Sequence, residues 1–100
     1  MSVIDAAPAR KEWTAIGKVK PRAIETTGGR IAYIEVSPRD APARLTVRVV
    51  DPSGAIDCIF LGRRMIAGLE PGATVGIEGR IAAGDDVPVI FNPRYELRLP

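Results

Sequence analysis

Residues 44–54, RLTVRVVDPSG, decide the fold that this sequence predicts. Apolar side chains recur at every second position here, a period that puts one row of a β-strand inward and the other outward. The inward row is Leu45, Val47 and Val49, and the outward row is Thr46, Arg48 and Val50. The next four residues, 51–54, contain a proline, which presets φ, and a glycine, which tolerates positive φ. This composition suits a tight reversal of the chain. The stretch therefore predicts a strand and the turn into the next strand.

The residues after this turn predict two more strands, a helix and a closing hairpin. Residues 55–61 form an extended run, with Ile56, Cys58 and Phe60 inward and Asp57, Ile59 and Leu61 outward. Residues 63–69 predict a short amphipathic helix that plugs the barrel bottom with Met65, Ile66 and Leu69, while Arg63 and Arg64 face solvent. The alternation then returns, with Val75, Ile77 and Ile81 inward, and Val89, Phe91, Tyr95, Leu97 and Leu99 on one face of the last segment.

This order of elements predicts an all-β fold, a five-stranded Greek-key OB-fold barrel with a short helix between strands 3 and 4. Upstream, residues 1–11 lack any periodicity and predict a flexible N-terminal tail, so the OB-fold domain spans residues 12–100. Residues 26–29, TTGG, predict a turn, and residues 31–36 predict an extended segment with Tyr33 at its centre. We therefore expect one domain with a barrel as its only core.

Composition excludes several classes of function. The chain holds one cysteine and no histidine, so we expect no disulfide, no zinc site and a reducing, cytoplasmic location. A nucleophile paired with a histidine base and a phosphate-binding glycine loop are both missing, so we expect neither an enzyme nor a cofactor. No apolar run reaches the length of a membrane span, and no secretory signal precedes the barrel.

Positive charge is concentrated in the first half of the chain. Residues 10–48 carry nine basic and four acidic side chains, whereas residues 49–100 carry five basic and seven acidic ones. In barrels of this class, strands 2 and 3 and the neighbouring loops form the ligand face. Cationic grooves with aromatic platforms are typical of single-strand binding. We therefore expect weak, sequence-independent binding of single-stranded or structured DNA or RNA, with phosphate contacts from Lys18, Lys20, Arg22, Arg44 and Arg48.

The five aromatic residues divide into two groups. Trp13 and Tyr33 are the candidate platforms for stacked bases, because parity assigns Phe60, Phe91 and Tyr95 to the core. Two alternatives stay open. The basic residues are equally explained as an ordinary solvated surface. The outward Ile59 and Leu61 favour a protein–protein adaptor, or self-association, with the barrel as its scaffold.

Residues 45–54 also resemble the oligonucleotide-binding wedge domain of RecG-type DNA helicases, which shares a V-x-V-x-D-x-[ST]-G turn. The similarity continues through residues 69–72 and 75–81 and ends at 91–96, FNPRYE, which is similar to that family's H-P-E-Y ending. Asn92 stands where histidine is usual, Arg94 where glutamate is usual, and Leu61 where the family has a second aromatic residue. The resemblance implies a barrel that touches DNA but no helicase activity, because it does not extend to a motor domain. With eleven arginines and three lysines, the chain is similar to small free-standing barrels of GC-rich bacteria.

Overall fold

The computed structural model describes residues 13–98. The predicted tail at residues 1–11 and the placement of Leu99 lie outside the described residues. No helix within residues 13–98 has the length and apolar character that crossing a membrane requires.

One six-stranded mixed sheet forms the structure, in the order β5-β3-β2-β1-β4-β6. The elements are a 3-10 helix, Ile16–Lys18, and the strands β1 Ile24–Val36, β2 Arg44–Asp51, β3 Gly54–Leu61, β4 Thr74–Arg80, β5 Val89–Phe91 and β6 Arg94–Arg98. Only β3 and β5 pair in parallel; the other neighbours are antiparallel. The two end strands, β5 and β6, are separated in sequence only by Asn92 and Pro93, so the sheet curls into an OB-like shape. The predicted closed barrel of five strands is therefore replaced by a six-stranded sheet.

Strand β1 runs straight through residues 26–29, where the sequence predicts a turn. Its first half pairs with β4 and its second half with β2, and Gly28 lies opposite Gly76. The indole of Trp13 covers both glycines, and a Cβ built on Gly29 would lie 2.1 Å from the carbonyl oxygen of Val50. The turn prediction is wrong because these glycines allow close approach of neighbouring groups rather than a reversal of the chain.

The core lies on the inner face of the sheet, and the alternation predicts most of it. Every residue assigned inward on β2, β3 and β4 is buried, as are Ile31, Ile81 and Ile90. Phe60 is buried as predicted, but the assignments of Phe91 and Tyr95 to the core are wrong, because these side chains are 54% and 41% exposed. In β5 the inward residue is Ile90 rather than Phe91, because the chain breaks at Asn92, with φ of 50°, and Pro93 before β6 begins. Tyr95 lies opposite the buried Ile77, but β6 is an end strand, so the ring stays partly exposed. Tyr95 still meets Phe60 edge-on, with ring centroids 5.9 Å apart.

The connection between β3 and β4 is an irregular loop, so the helix predicted over residues 63–69 is wrong. Gly62 and Gly68 have φ of 82° and 87°, values that end helices rather than extend them. A segment this short also gains few intrahelical hydrogen bonds against the cost of nucleation. Ile66 and Leu69 nevertheless plug the core as predicted, while Met65 is 78% exposed.

Candidate nucleic-acid interface

The outward side of β1, β2, β3 and β5 is the candidate interface, and we call it the outer face. Strand register arranges its side chains in rows that cross the sheet. One row is Tyr33, Arg48 and Asp57; the next is Glu35, Thr46, Ile59 and Phe91; the last is Arg44 and Leu61. The loop 37–43 borders this face at the Arg44 end, and the loop 81–88 borders it near Asp57, since Asp57 N donates to the Pro88 carbonyl at 3.0 Å.

A β-bulge in β1 turns Tyr33 outward. Ile31 pairs with Val49 and Tyr33 pairs with Arg48, so β1 advances by two residues where β2 advances by one. Without this extra residue, Tyr33 would share the inward side with Ile31. Instead Ile31 is fully buried and Tyr33 is 44% exposed. The phenol ring therefore lies on the outer face as a candidate stacking platform.

Arg48 lies at the centre of the outer face in a network of carboxylates. Its Nε and Nη2 donate to the two carboxylate oxygens of Asp57, the second at 3.2 Å, and Nη2 also lies 3.5 Å from Asp86 Oδ2. The guanidinium carbon is 5.2 Å from the centroid of the Tyr33 ring. The hydrogen bond that Arg48 donates to Asp57 raises the pKa of Arg48 further above its already high value. The charge of Arg48 is thus already neutralised within the protein.

Next to this network lies an apolar patch, formed by Ile59, Leu61 and Phe91. Ile59 and Phe91 are register partners in the parallel pair of β3 and β5. Leu61 is 51% and Phe91 54% exposed, whereas Ile59 is half-buried. Asn92 holds the two strands together, because its N–H donates to the Ile59 carbonyl at 2.7 Å and its Oδ1 accepts from Leu61 N at 2.9 Å. Phe91 is an interface candidate that sequence parity missed, and the signal that could have found it is the proline two residues later, which breaks the strand.

A basic end closes the outer face at the loop 37–43. The side chain of Arg64 donates to the carbonyls of Pro38, Arg39 and Ala41 at 3.0, 3.3 and 2.6 Å, so it is tied to this loop rather than solvated as predicted. Gly62 N also donates to the Ala43 carbonyl at 2.8 Å, which joins the β3–β4 loop to the same segment. The loop 37–43, the start of β2 and the β3–β4 loop each carry one exposed arginine that makes no ion pair within residues 13–98. These are Arg39, Arg44 and Arg63. We call these three residues the basic end.

The other cations predicted to contact phosphate lie elsewhere. The 3-10 helix that carries Lys18 is fixed to the β2–β3 turn, because Ile16 N donates to Asp51 Oδ2 at 3.0 Å and Gly17 N donates to Ser53 Oγ at 2.8 Å. That turn is at the opposite end of β2 from Arg44, about 23 Å away for an extended strand of this length. Lys20 and Arg22 follow on the segment that enters β1 on its β4 side, where Arg22 N donates to the Ile81 carbonyl at 2.8 Å. These cations therefore do not converge with Arg44 in one groove.

Trp13 also lies away from the outer face. Its indole rests on the pair Gly28 and Gly76, between β1 and β4, and the guanidinium of Arg98 is 5.2 Å from its ring centroid. The ring is half-buried and fills the space that the two glycines leave. This position packs the start of the described chain, at Trp13, onto the sheet.

The outer face offers planar, apolar and cationic groups, and within residues 13–98 no three His, Cys, Asp or Glu side chains are grouped to hold a metal ion. Tyr33 on β1 and Phe91 on β5 are three strand spacings apart, about 14 Å. Such a surface can stack flat rings and place phosphates at its basic end.

Comparisons with known proteins show the fold. The solution NMR structure of a replication factor A related protein from Methanobacterium thermoautotrophicum matches with a TM-score of 0.67 at 16% sequence identity, over 86% of this chain and 90% of that one. No protein-family model and no curated protein sequence matches the chain. The likeness shows an OB-like fold, and the similarity to the RecG wedge domain stays a resemblance.

Proposed function

We propose that this chain is a nucleic-acid-binding module that holds single-stranded or structured DNA or RNA on its outer face, weakly and without sequence readout. The observation that carries the proposal is the exposure of Tyr33 and Phe91 on one sheet face beside three unpaired arginines. The name of the structural neighbour, a replication factor A related protein, supports the same class of ligand. The role is binding, without catalysis or a cofactor.

The geometry favours unpaired bases over an intact duplex. A base stacked inside a duplex cannot lie flat on Tyr33 or Phe91, whereas a single strand or a branched end exposes its base faces. The basic end supplies charge but no paired side chains arranged to read base edges. Stacking on aromatic rings is tolerant of sequence, because every base has a π-face.

Fluorescence anisotropy with a labelled thirty-nucleotide DNA or RNA tests the proposal. Neutralising three phosphates gives a slope of about −2 in log K against log salt, so affinity should fall about twenty-fold between about 50 and about 200 mM salt. Arg44→Gln combined with Arg63→Gln should weaken binding and flatten the slope. The matched control is Arg94→Gln, since Arg94 is 88% exposed but lies on β6. An absence of binding at about 100 μM protein in low salt would reject the proposal.

The apolar patch supports a second candidate, self-association through the same face. Leu61 and Phe91 are more than half exposed and lie on neighbouring strands, and contiguous exposed apolar groups favour protein contacts. Light scattering distinguishes the two: a dimer that is insensitive to salt and is lost on Leu61→Lys favours self-association. The control is Met65→Lys, which adds the same charge at a residue 78% exposed in the β3–β4 loop.

A further inference from the structure

We propose that Arg48 acts as a positioning residue for Tyr33 rather than as a phosphate contact. The inference rests on the proposed function, because it assigns roles within the same outer face. Arg48, held by Asp57, covers one face of the Tyr33 ring and leaves the opposite face for a base.

The surroundings of Arg48 argue against a phosphate contact. Its side chain is only 17% exposed, as is that of Asp57, and its donors are directed at carboxylate oxygens. Asp86, whose side chain is 81% exposed, adds a second negative charge at 3.5 Å. One guanidinium and two carboxylates give this cluster a net negative charge. A phosphate that approached Arg48 would meet like charges and would have to displace a bidentate carboxylate.

The position of Arg48 relative to Tyr33 argues for a positioning role. Asp57, Arg48 and Tyr33 are register partners on three adjacent strands, so the carboxylate, guanidinium and ring form one line across the sheet. The bulge leaves Tyr33 outside the core, where its ring depends on outer-face neighbours for a fixed orientation. A ring held in place before binding loses less conformational freedom when a base stacks on it. The 5.2 Å separation of guanidinium carbon and ring centroid is within the range of a cation–π contact.

A double-mutant cycle with a fluorescein-labelled thirty-nucleotide deoxythymidine strand tests the inference. Arg48→Gln should weaken binding about three-fold to five-fold, the range that a partly exposed cation–π contact supports. The slope of log K against log salt should stay that of the wild type. In the Tyr33→Ala background, Arg48→Gln should have no further effect, because the ring through which it acts is gone.

Two controls complete the experiment. Arg44→Gln should flatten the salt slope by about 0.7, the value for one phosphate contact to a single strand. Since Arg48→Gln leaves Asp57 without its partner, the pair Arg48→Gln with Asp57→Asn repeats the measurement without that charge. Thermal unfolding followed by Trp13 fluorescence verifies that each variant is folded.

Three results would overturn the inference. The first is a salt slope that flattens for Arg48→Gln as it does for Arg44→Gln. The others are a loss of affinity on Arg48→Gln that persists in the Tyr33→Ala background, and unchanged affinity in both Arg48 variants. If the wild-type protein fails to bind the strand, the proposed function itself is overturned. That result is distinguishable, because it appears before any variant is compared.

Discussion

Asp51 shows at the scale of one residue how a turn organises its surroundings. Its Oδ2 accepts from Ile16 N at 3.0 Å, and its Oδ1 accepts from Ser53 N, Ser53 Oγ and Gly54 N at 2.7, 2.6 and 3.0 Å. Burial alone would raise the pKa of this carboxyl, but the hydrogen bonds outweigh burial and hold the pKa below its usual 3.8. One carboxylate thus closes the β2–β3 turn and fixes the 3-10 helix onto it.

This network makes stability depend on pH in a defined direction. Because the folded pKa of Asp51 is lowered, its contribution is fully present above the unfolded pKa and is lost as the pH falls through the folded pKa. We expect Asp51→Asn to lower the free energy of unfolding at neutral pH by about 1–3 kcal/mol, since an amide N–H₂ would face the Ile16 N–H. The difference from wild type should shrink at acidic pH, below the usual pKa of 3.8. Urea unfolding followed by Trp13 fluorescence at both pH values measures it.

Asp40 provides the matched control for this prediction. It is exposed in the loop 37–43, and its carboxylate makes no hydrogen bond or ion pair within residues 13–98. Asp40→Asn should change the free energy of unfolding by less than about 0.5 kcal/mol at either pH. If Asp51→Asn lowers the free energy of unfolding by the same amount at neutral and at acidic pH, the role of the ionised carboxylate is contradicted.

At the scale of an element, strand β1 depends on small residues where it passes from β4 to β2. Arg30 pairs with Thr74 on β4 and with Val50 on β2, so the crossover follows directly after Gly29. A Cβ at Gly29 would lie 2.1 Å from Val50 O and 2.8 Å from Val50 C, both backbone atoms that cannot turn away. The strand has no room for a side chain at this point.

Gly29→Ala should therefore be strongly destabilising. We expect a loss of about 3 kcal/mol in the free energy of unfolding, the upper end for overpacking, because the sheet itself must shift. Gly54→Ala is the control, since its added Cβ would meet nothing closer than 3.6 Å, at Gly17. That variant should stay within about 0.5 kcal/mol of wild type. Urea midpoints of the two variants measure the contrast, and equal midpoints would refute the close contact as the reason for Gly29.

The elements also show which parts of the fold follow from sequence. Alternation predicted the inward rows of β2, β3 and β4, because one buried side imposes a strict period of two. The period fails where the backbone departs from a regular strand, at the bulge before Tyr33 and at the break through Asn92 and Pro93. Glycine is ambiguous in a sequence, because it suits both a turn and a strand position where a neighbouring group comes too close for a side chain. Only the position of the neighbouring strand distinguishes the two, as at residues 28 and 29. On the outer face, Tyr33, Arg44 and Leu61 are exposed, as expected for candidate contact residues, whereas Phe91, which parity assigned to the core, is exposed as well.

At the scale of the whole molecule, the excess of basic residues in the first half of the chain does not become one groove. The fold carries Lys18 to the β2–β3 turn and Arg44 to the opposite end of β2. It also ties Arg48 to Asp57, and brings Arg63 from the second half to the basic end. The number of basic residues in a stretch of sequence does not say where their side chains lie in the fold. A cationic surface depends on which loops meet and on which cations are already paired with carboxylates. A basic half of a sequence therefore does not by itself predict which cations share one surface of the fold.

Two single-residue probes test whether the described sheet unfolds as one unit. Trp13, the only tryptophan, lies over β1 and β4, while Cys58, the only cysteine, is 1% exposed on β3 between β2 and β5. Burial raises the pKa of the Cys58 thiol, so the native protein should resist a thiol reagent at neutral pH. We expect thiol labelling and the change in Trp13 fluorescence to share one urea midpoint, as cooperative unfolding of a small domain requires. On one side, Cys58 is shielded only by the three-residue strand β5. Thiol labelling at urea concentrations well below the fluorescence midpoint would therefore mean that β5 detaches first and that the outer face opens on its own.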